Sequence, residues 1–148
     1  MQYALLSFRR VYECTGLAGR KGRVHDSFPL GIHPVGQILA RAANAAGLAV
    51  NWAGAGTTTP SALQLELIAR LKPTIWMGMS SYGLHLANLA AAQGVDLASL
   101  AVETVLCSAE PLSDAKREKI GRMWGAKVYD VFGMSEAGLM GAENSAQI

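Results

Sequence analysis

Two segments of this sequence combine residue types that can bind phosphate groups and divalent cations. They are Ser108–Ser113, which reads S-A-E-P-L-S, and Tyr129–Ala137, which reads Y-D-V-F-G-M-S-E-A. The carboxylate of Glu136 is a hard oxygen ligand of the kind that Mg²⁺ prefers. The hydroxyl of Ser135 can donate to a phosphate oxygen, and Gly133 lets the backbone approach a ligand closely. The second segment could therefore contact a phosphate and its metal ion.

Each of these residues also has an ordinary structural interpretation. Asp130 could cap a turn, and Phe132 could belong to the hydrophobic core. Ser135 and Glu136 could begin a helix, because the first turn of a helix favours an acidic side chain. Residue types alone therefore leave a binding site and a structural turn as alternatives.

The three histidines, His25, His33 and His85, have no carboxylate or second metal ligand at an informative spacing. We therefore predict ordinary structural roles for them. Of the three, His33 is the one that we expect to face a binding pocket if any does.

The elements that must position these segments follow from the alternation along the chain. Short apolar runs alternate with helical stretches, which is typical of βα repeats with a largely parallel sheet. The sequence predicts an α/β fold: a doubly wound, flavodoxin-like, mainly parallel five-stranded sheet with helices on both faces. Right-handed crossovers bring the loops after neighbouring strands to one edge, where ligands bind. The predicted strands lie near residues 23–28, 48–53, 74–79, 102–108 and 127–132.

Polar residues and glycines mark where the helices begin and end. Thr59 precedes Pro60 and is predicted to cap one helix, Ser80 or Ser81 a second, and Ser113 a third. Gly125 is predicted to end the third helix, because glycine readily adopts the left-handed conformation found at helix ends.

The two segments resemble loops of the adenylate-forming superfamily, and most closely its phenylacetate-CoA ligase branch. In that branch the first loop reads roughly G-A-E-P and the second D-x-Y-G-x-[ST]-E. Here Phe132 replaces the usual tyrosine. A third loop, His25–Gly31, is similar to the branch's substrate-side loop. The resemblance covers about residues 20 to 140, and two such loops in order, separated by one helix and one strand, are fairly specific.

The resemblance implies an acid–thiol ligase that activates an aryl or acyl carboxylate with ATP. It forms an acyl-adenylate with Mg²⁺ present and passes the acyl group to CoA, or in a close variant to a protein thiol. The implied partners are a small carboxylic acid and CoA. The implied site residues are Ser135 and Glu136 as catalytic residues, with Glu136 on the metal; Ala109, Glu110, Pro111, Asp130, Phe132 and Gly133 at the nucleotide; and Phe28 and His33 at the acid.

Several family motifs have no counterpart in these 148 residues. There is no S/T-G-T-T-G-x-P phosphate loop, no later T-G-D aspartate and no C-terminal lid domain with its catalytic lysine. We therefore expect residues 1–148 to form a single α/β domain, part of the N-terminal domain of a larger ligase, and to be inactive in isolation. The alternative is a non-catalytic nucleotide-binding or scaffold domain left from a truncated ligase.

Composition bounds the remaining function classes. Hydrophobic residues make up 51% of the chain and charged residues 16%, so we expect association as a homo-oligomer or with missing portions of the enzyme. The net charge of +2 comes from scattered basic residues, which argues against nucleic-acid binding. No apolar run is long enough for a membrane helix. Cys14 and Cys107 lie far apart without metal-binding spacing, which favours a reduced, cytoplasmic protein.

Overall fold

The computed structural model describes residues 2–134 and 137–146. Within them, six strands form one sheet in the order β2-β1-β3-β4-β5-β6. Neighbours among β1 to β5 pair in parallel, which confirms the predicted α/β sheet, and β6 pairs antiparallel to β5. The strands are β1 (Arg23–Asp26), β2 (Ala49–Trp52), β3 (Ile75–Gly78), β4 (Thr104–Ser108), β5 (Lys127–Met134) and β6 (Gly138–Ala142).

The helices cover both faces of the sheet, as predicted. Side chains of β3 alternate between two cores, since Ile75 and Met77 pack with α1 and α2, whereas Trp76 packs with α3, α4 and α5. The helices are α1 (Gln2–Cys14), α2 (Val35–Ala45), α3 (Ser61–Leu71), α4 (Ser80–Ala92) and α5 (Asp114–Trp124), with a 3₁₀ turn at Leu97–Ser99. Among the described residues, no helix is long and apolar enough to cross a membrane.

Buried aromatic side chains fix the helices against the sheet. The rings of Trp76 and Trp124 lie 5.2 Å apart, and the indole N–H of Trp124 donates to the carbonyl of Gly83 at 3.0 Å. On the other face, the hydroxyl of Tyr12 donates to the carbonyl of Leu39 at 2.9 Å. The polar tips of Trp124 and Tyr12 thus have partners, whereas the indole N–H of Trp76 is buried without a hydrogen-bond partner in the described part of the chain.

The predicted ends of α5 are confirmed. The hydroxyl of Ser113 accepts a hydrogen bond from the N–H of Lys116 at 3.3 Å. At the other end Gly125 adopts a left-handed conformation, with a φ of 60°.

The predicted caps of α3 and α4 are wrong. Thr59 instead donates its hydroxyl to the carbonyl of Ala53 at 2.6 Å. The residues immediately before α3 and α4 are Pro60 and Met79, and neither side chain forms a capping hydrogen bond. The first turn of α4 is satisfied from outside the helix, because the carboxylate of Glu110 accepts from the N–H of Ser81. A cap from another loop leaves no local pattern in the sequence.

The hairpin of β5 and β6 packs on α1. The N–H of Leu139 donates to the hydroxyl of Ser7 at 3.0 Å. A β-carbon added at Gly133 would lie 2.9 Å from the carbonyl oxygen of Gly138 and 3.1 Å from the Phe8 ring. Gly133 therefore permits the close packing of hairpin and helix.

Candidate functional site

A cleft of about 300 Å³ opens at the carboxyl ends of β4 and β5. It is lined by residues of the loop after β4 and by the second half of β5. The parallel pairing of Cys107 with Asp130 and of Ser108 with Val131 places these two stretches side by side. The cleft thus brings together all six residues predicted to contact a nucleotide: Ala109, Glu110, Pro111, Asp130, Phe132 and Gly133. Their part in nucleotide binding stays a prediction.

The loop after β4 is held by its glutamate. The carboxylate of Glu110 accepts from the hydroxyl of Ser80 at 2.6 Å and from the N–H of Ser81, and the ammonium of Lys116 lies 3.8 Å away. Partial burial acts to raise the pKa of Glu110, but the two serines and Lys116 together bring it below its usual value. Because this carboxylate is engaged at the start of α4, the loop presents mainly its backbone and shape to the cleft.

Ala109 begins this loop in a left-handed conformation, with a φ of 71°. A residue with a β-carbon is strained there. The turn directs the chain from the end of β4 across the cleft to Pro111, which lines the cleft as well.

The β5 wall of the cleft carries one charged and one aromatic side chain. Phe132 is 60% exposed, so its ring is free to receive a flat ligand rather than being core. Asp130 is half-buried, and burial is the main reason why its pKa lies above the usual range. The carboxylate of Glu143 raises the pKa of Asp130 further, whereas Arg117 lowers it.

Arg117 and Glu143 form an ion pair beside this wall. The guanidinium of Arg117 donates to both carboxylate oxygens of Glu143, at 2.8 and 2.7 Å, and to the carbonyl of Val128 at 3.0 Å. Neither residue was singled out from the sequence as part of the site. Arg117 is one of several basic residues on α5, and nothing in its sequence neighbourhood indicates a partner after β6.

The remaining predicted site residues lie elsewhere. Ser135 and Glu136 fall outside the described residues. Phe28 is 1% exposed and packs in the core between the sheet and α1 and α2, and His33 is exposed in the loop that precedes α2. Both follow β1, which β3 separates from β4. Their contact with an acid stays a prediction.

Within residues 2–134 and 137–146, no group of three or more His, Cys, Asp or Glu side chains lies close enough to hold a metal ion. The carboxylate of Glu136 has the chemistry that Mg²⁺ prefers, and its contact with a metal ion stays a prediction.

A second polar group lies at the carboxyl end of β1. The side-chain carbonyl of Gln64 accepts from the hydroxyl of Ser27 at 2.7 Å and lies 3.2 Å from Nε2 of His25. The amide nitrogen of Gln64 donates to the carbonyls of Gly54 and Thr59. Burial lowers the pKa of His25, which favours the neutral form of its ring. This network ties α3 to the loops after β1 and β2, in keeping with the structural role predicted for His25.

Comparison with known proteins defines the class. The family model described as "AMP-binding enzyme" matches residues 6–147, so the chain belongs to the family of AMP-binding enzymes. It is 34% identical over 119 residues to the phenylacetate-coenzyme A ligase of Pseudomonas putida. That match covers 80% of this chain and 26% of the ligase, so the chain spans about a quarter of this relative's length. The resemblance predicted from the two loops is confirmed.

Solved structures share the fold. A 2-hydroxyisobutyryl-CoA ligase, in an open conformation with 2-HIB-AMP and CoA, superposes with a TM-score of 0.89 at 21% identity. The superposition covers 96% of this chain and 34% of that one. An amide bond synthetase from Marinactinospora thermotolerans gives a TM-score of 0.72 at 20% identity, covering 96% of this chain and 27% of the synthetase.

Proposed function

We propose that the protein activates a carboxylic acid with ATP and transfers the acyl group to CoA, and that the cleft binds the adenylate part of the nucleotide. The observation that carries the proposal is the convergence of Asp130, Phe132 and the Ala109–Pro111 loop on this cleft. Two similar proteins support it: one is named a phenylacetate-coenzyme A ligase, and the other holds an adenylate and CoA.

In the proposed reaction, a carboxylate oxygen of the acid attacks the α-phosphorus of ATP and pyrophosphate leaves. The sulfur of CoA then attacks the acyl carbon, its proton is released, and AMP leaves. The exposed ring of Phe132 would stack on adenine, and Asp130 would accept a hydrogen bond from the ribose. We assign the phosphate contact to Ser135 and the Mg²⁺ contact to Glu136, and the acid to the loop that carries Phe28 and His33.

The proposal assigns the 148-residue chain only part of this reaction. Its sequence contains neither the family's phosphate loop nor the lid lysine. Groups that stabilise developing charge usually supply the largest part of catalysis. We therefore expect weak nucleotide binding and no turnover from these residues alone, and acid-dependent release of pyrophosphate from ATP by the purified 148-residue chain would contradict this.

Calorimetry with AMP tests the nucleotide assignment. Stacking of a base on an aromatic side chain contributes about 1–3 kcal/mol, so Phe132→Ala should weaken AMP binding by roughly 5- to 150-fold. Met140→Ala is a matched control, because Met140 is 56% exposed on the same hairpin and does not line the cleft. It should bind AMP like the wild type. Equal affinity of the Phe132 variant and the wild type would remove this cleft from the nucleotide site.

The metal assignment has its own test. Glu136→Gln removes an anionic oxygen ligand and leaves the shape of the cleft unchanged, so Mg²⁺ should strengthen ATP binding less in the variant. Affinity for AMP without Mg²⁺ should stay the same. If the variant keeps the wild-type dependence on Mg²⁺, Glu136 does not hold the metal.

A further inference from the structure

Glu143 forms hydrogen bonds with both the backbone N–H and the backbone carbonyl of Asp130. The N–H of Asp130 donates to Oε2 of Glu143 at 2.6 Å, and the N–H of Glu143 donates back to the carbonyl of Asp130 at 3.2 Å. The same Oε2 accepts from Arg117 at 2.8 Å. A change in the ion pair would therefore reach the backbone of Asp130 directly.

The geometry of the ion pair makes it rigid. Arg117 uses two nitrogens of its guanidinium on two oxygens of Glu143, an arrangement that fixes orientation as well as distance. Its additional bond to the carbonyl of Val128 anchors it to β5 two residues before Asp130. The two side chains are 26% and 27% exposed, so the pair is better shielded from solvent than an ordinary surface pair.

We propose that Arg117 and Glu143 are a pair of positioning residues that fixes Asp130 in the wall of the cleft and balances the charges around its carboxyl group. The proposal rests on the proposed function for its consequence in nucleotide binding. Its structural part, the control of Asp130, holds for the protein without any ligand. Arg117 and Glu143 act through Asp130 and do not line the cleft themselves.

The charges around Asp130 oppose one another. Burial and Glu143 raise the pKa of Asp130, and Arg117 on α5 lowers it. The other ionisable groups near the site, among the described residues, are Cys107 on the neighbouring strand, Glu110 in the opposite wall with its partner Lys116, Asp114, which acts on Arg117, and Lys127, which lines the same surface hollow as Arg117 and Glu143. Removing the cation should therefore raise the pKa of Asp130, and removing the Glu143 charge should lower it.

An NMR titration of the Asp130 carboxyl group in the ligand-free protein tests this. Compared with the wild type, the pKa of Asp130 should rise in Arg117→Gln and fall in Glu143→Gln. Arg122→Gln is the matched control: it breaks an exposed pair with Glu118 on the same helix, 3.7 Å long, and should leave Asp130 unchanged. If the pair were merely structural, both variants would loosen the site, admit water and lower the pKa together. A shift in the same direction, or none, would overturn the proposal.

A double variant guards against a folding defect in Arg117→Gln, which removes the cation beside the half-buried carboxylate of Glu143. Arg117→Gln with Glu143→Gln replaces the ion pair by two neutral amides. Since the Glu143→Gln variant retains the cation and the double variant does not, the pKa of Asp130 should be higher in the double variant. Equal values would overturn the proposal even if Arg117→Gln does not fold.

Calorimetry with AMP separates the inference from the proposed function. Failure of the wild type to bind AMP contradicts the proposed function, and the titration then still decides about the pair. If the wild type binds AMP, misplacement of Asp130 should weaken AMP binding about tenfold in Arg117→Gln. Arg117→Lys should recover part of this affinity, and Arg122→Gln should bind AMP like the wild type. Wild-type affinity in a folded Arg117→Gln variant would overturn the positioning role.

Discussion

At the scale of single residues, Asp26 carries a carboxyl group into the core beneath α1 and α2. One oxygen accepts from the N–H of Phe28 at 2.9 Å, and the other is buried without a hydrogen-bond partner in the described part of the chain. Burial raises the pKa of Asp26 to about 8, although the bond from Phe28 lowers it. At neutral pH this carboxyl group is therefore protonated in the folded protein.

The buried carboxyl group predicts a decline of stability as pH rises. Because the folded pKa of about 8 lies above the ordinary value of 3.8, the folded protein holds a proton between these values that the unfolded chain releases. The stabilisation is complete below about pH 4 and is lost as pH rises through 8. The free energy of unfolding should therefore fall by on the order of a few kcal/mol as pH rises through this range. Asp26→Asn should lack this fall, because asparagine has no ionisable carboxyl group. Urea unfolding at pH 5 and pH 8.5 measures the difference.

Asp96→Asn is the control for this prediction. Asp96 is exposed and accepts from the N–H of Ala98 at a 3₁₀ turn, so its variant should keep the wild-type decline between the two pH values. If the free energy of unfolding falls between the two pH values as much in Asp26→Asn as in the wild type, Asp26 is already ionised in the folded protein.

At the scale of elements, α3 and α5 end in the same way with different residues. Lys72 has a φ of 48° and Gly125 a φ of 60°, both left-handed. A lysine is strained in this conformation, whereas a glycine is not. The glycine predicts the left-handed end of α5, whereas nothing in the sequence indicates the left-handed conformation of Lys72.

The two helix ends predict opposite effects of substitution. Lys72→Gly should raise the free energy of unfolding by about 0.5 kcal/mol, because relief of strain exceeds the added freedom of the unfolded chain. Gly125→Ala should lower it by about 1 kcal/mol or more, since the new β-carbon would also lie 2.8 Å from that of Ala98. Both values come from urea unfolding at one pH. A stability loss in Lys72→Gly would contradict the strain argument.

The sequence predicted the elements that have strong patterns and missed those set by distant contacts. All five parallel strands lie near the predicted ranges. β3 and β4 are buried and read as nearly continuous apolar segments, whereas β1 and the edge strand β2 contain polar residues. β6 was missed: the run Gly138–Ala142 has two glycines and no alternation, and its pairing depends on β5 and Ser7. The cleft was predictable because the loops after neighbouring parallel strands emerge at the same edge of the sheet. The contacts of Glu110 and Arg117 were not predictable, because their partners Ser80 and Glu143 lie far away in the sequence.

At the scale of the whole molecule, several large apolar side chains are exposed on the β5–β6 hairpin and on the neighbouring α1. Phe132, Met134 and Met140 are all exposed there, and Tyr3 and Leu6 are exposed on α1, which packs against β6. Exposed apolar side chains grouped in this way are typical of interfaces. We therefore expect this side of the molecule to associate, either with a second copy or with other parts of the enzyme.

Light scattering at tens of micromolar protein tests the association. We expect a mass above 15.6 kDa for the 148-residue chain that falls on dilution. Met134→Gln combined with Met140→Gln should shift the equilibrium towards the monomer. Leu63→Gln, at an exposed position on α3, should leave it unchanged. A clean monomer of the unmodified chain at these concentrations would contradict the prediction.

The strand order also has a consequence for synthesis on the ribosome. β1 is flanked by β2 and β3, both of which are made after it. Its second neighbour, β3, emerges about fifty residues later, so at about 5–20 residues per second one edge of β1 waits several seconds for its partner. An open strand edge can pair with another chain during that time. Nascent chains that end before Ile75 should therefore engage chaperones, whereas those long enough for Ile75–Gly78 to have left the ribosome can close the edge.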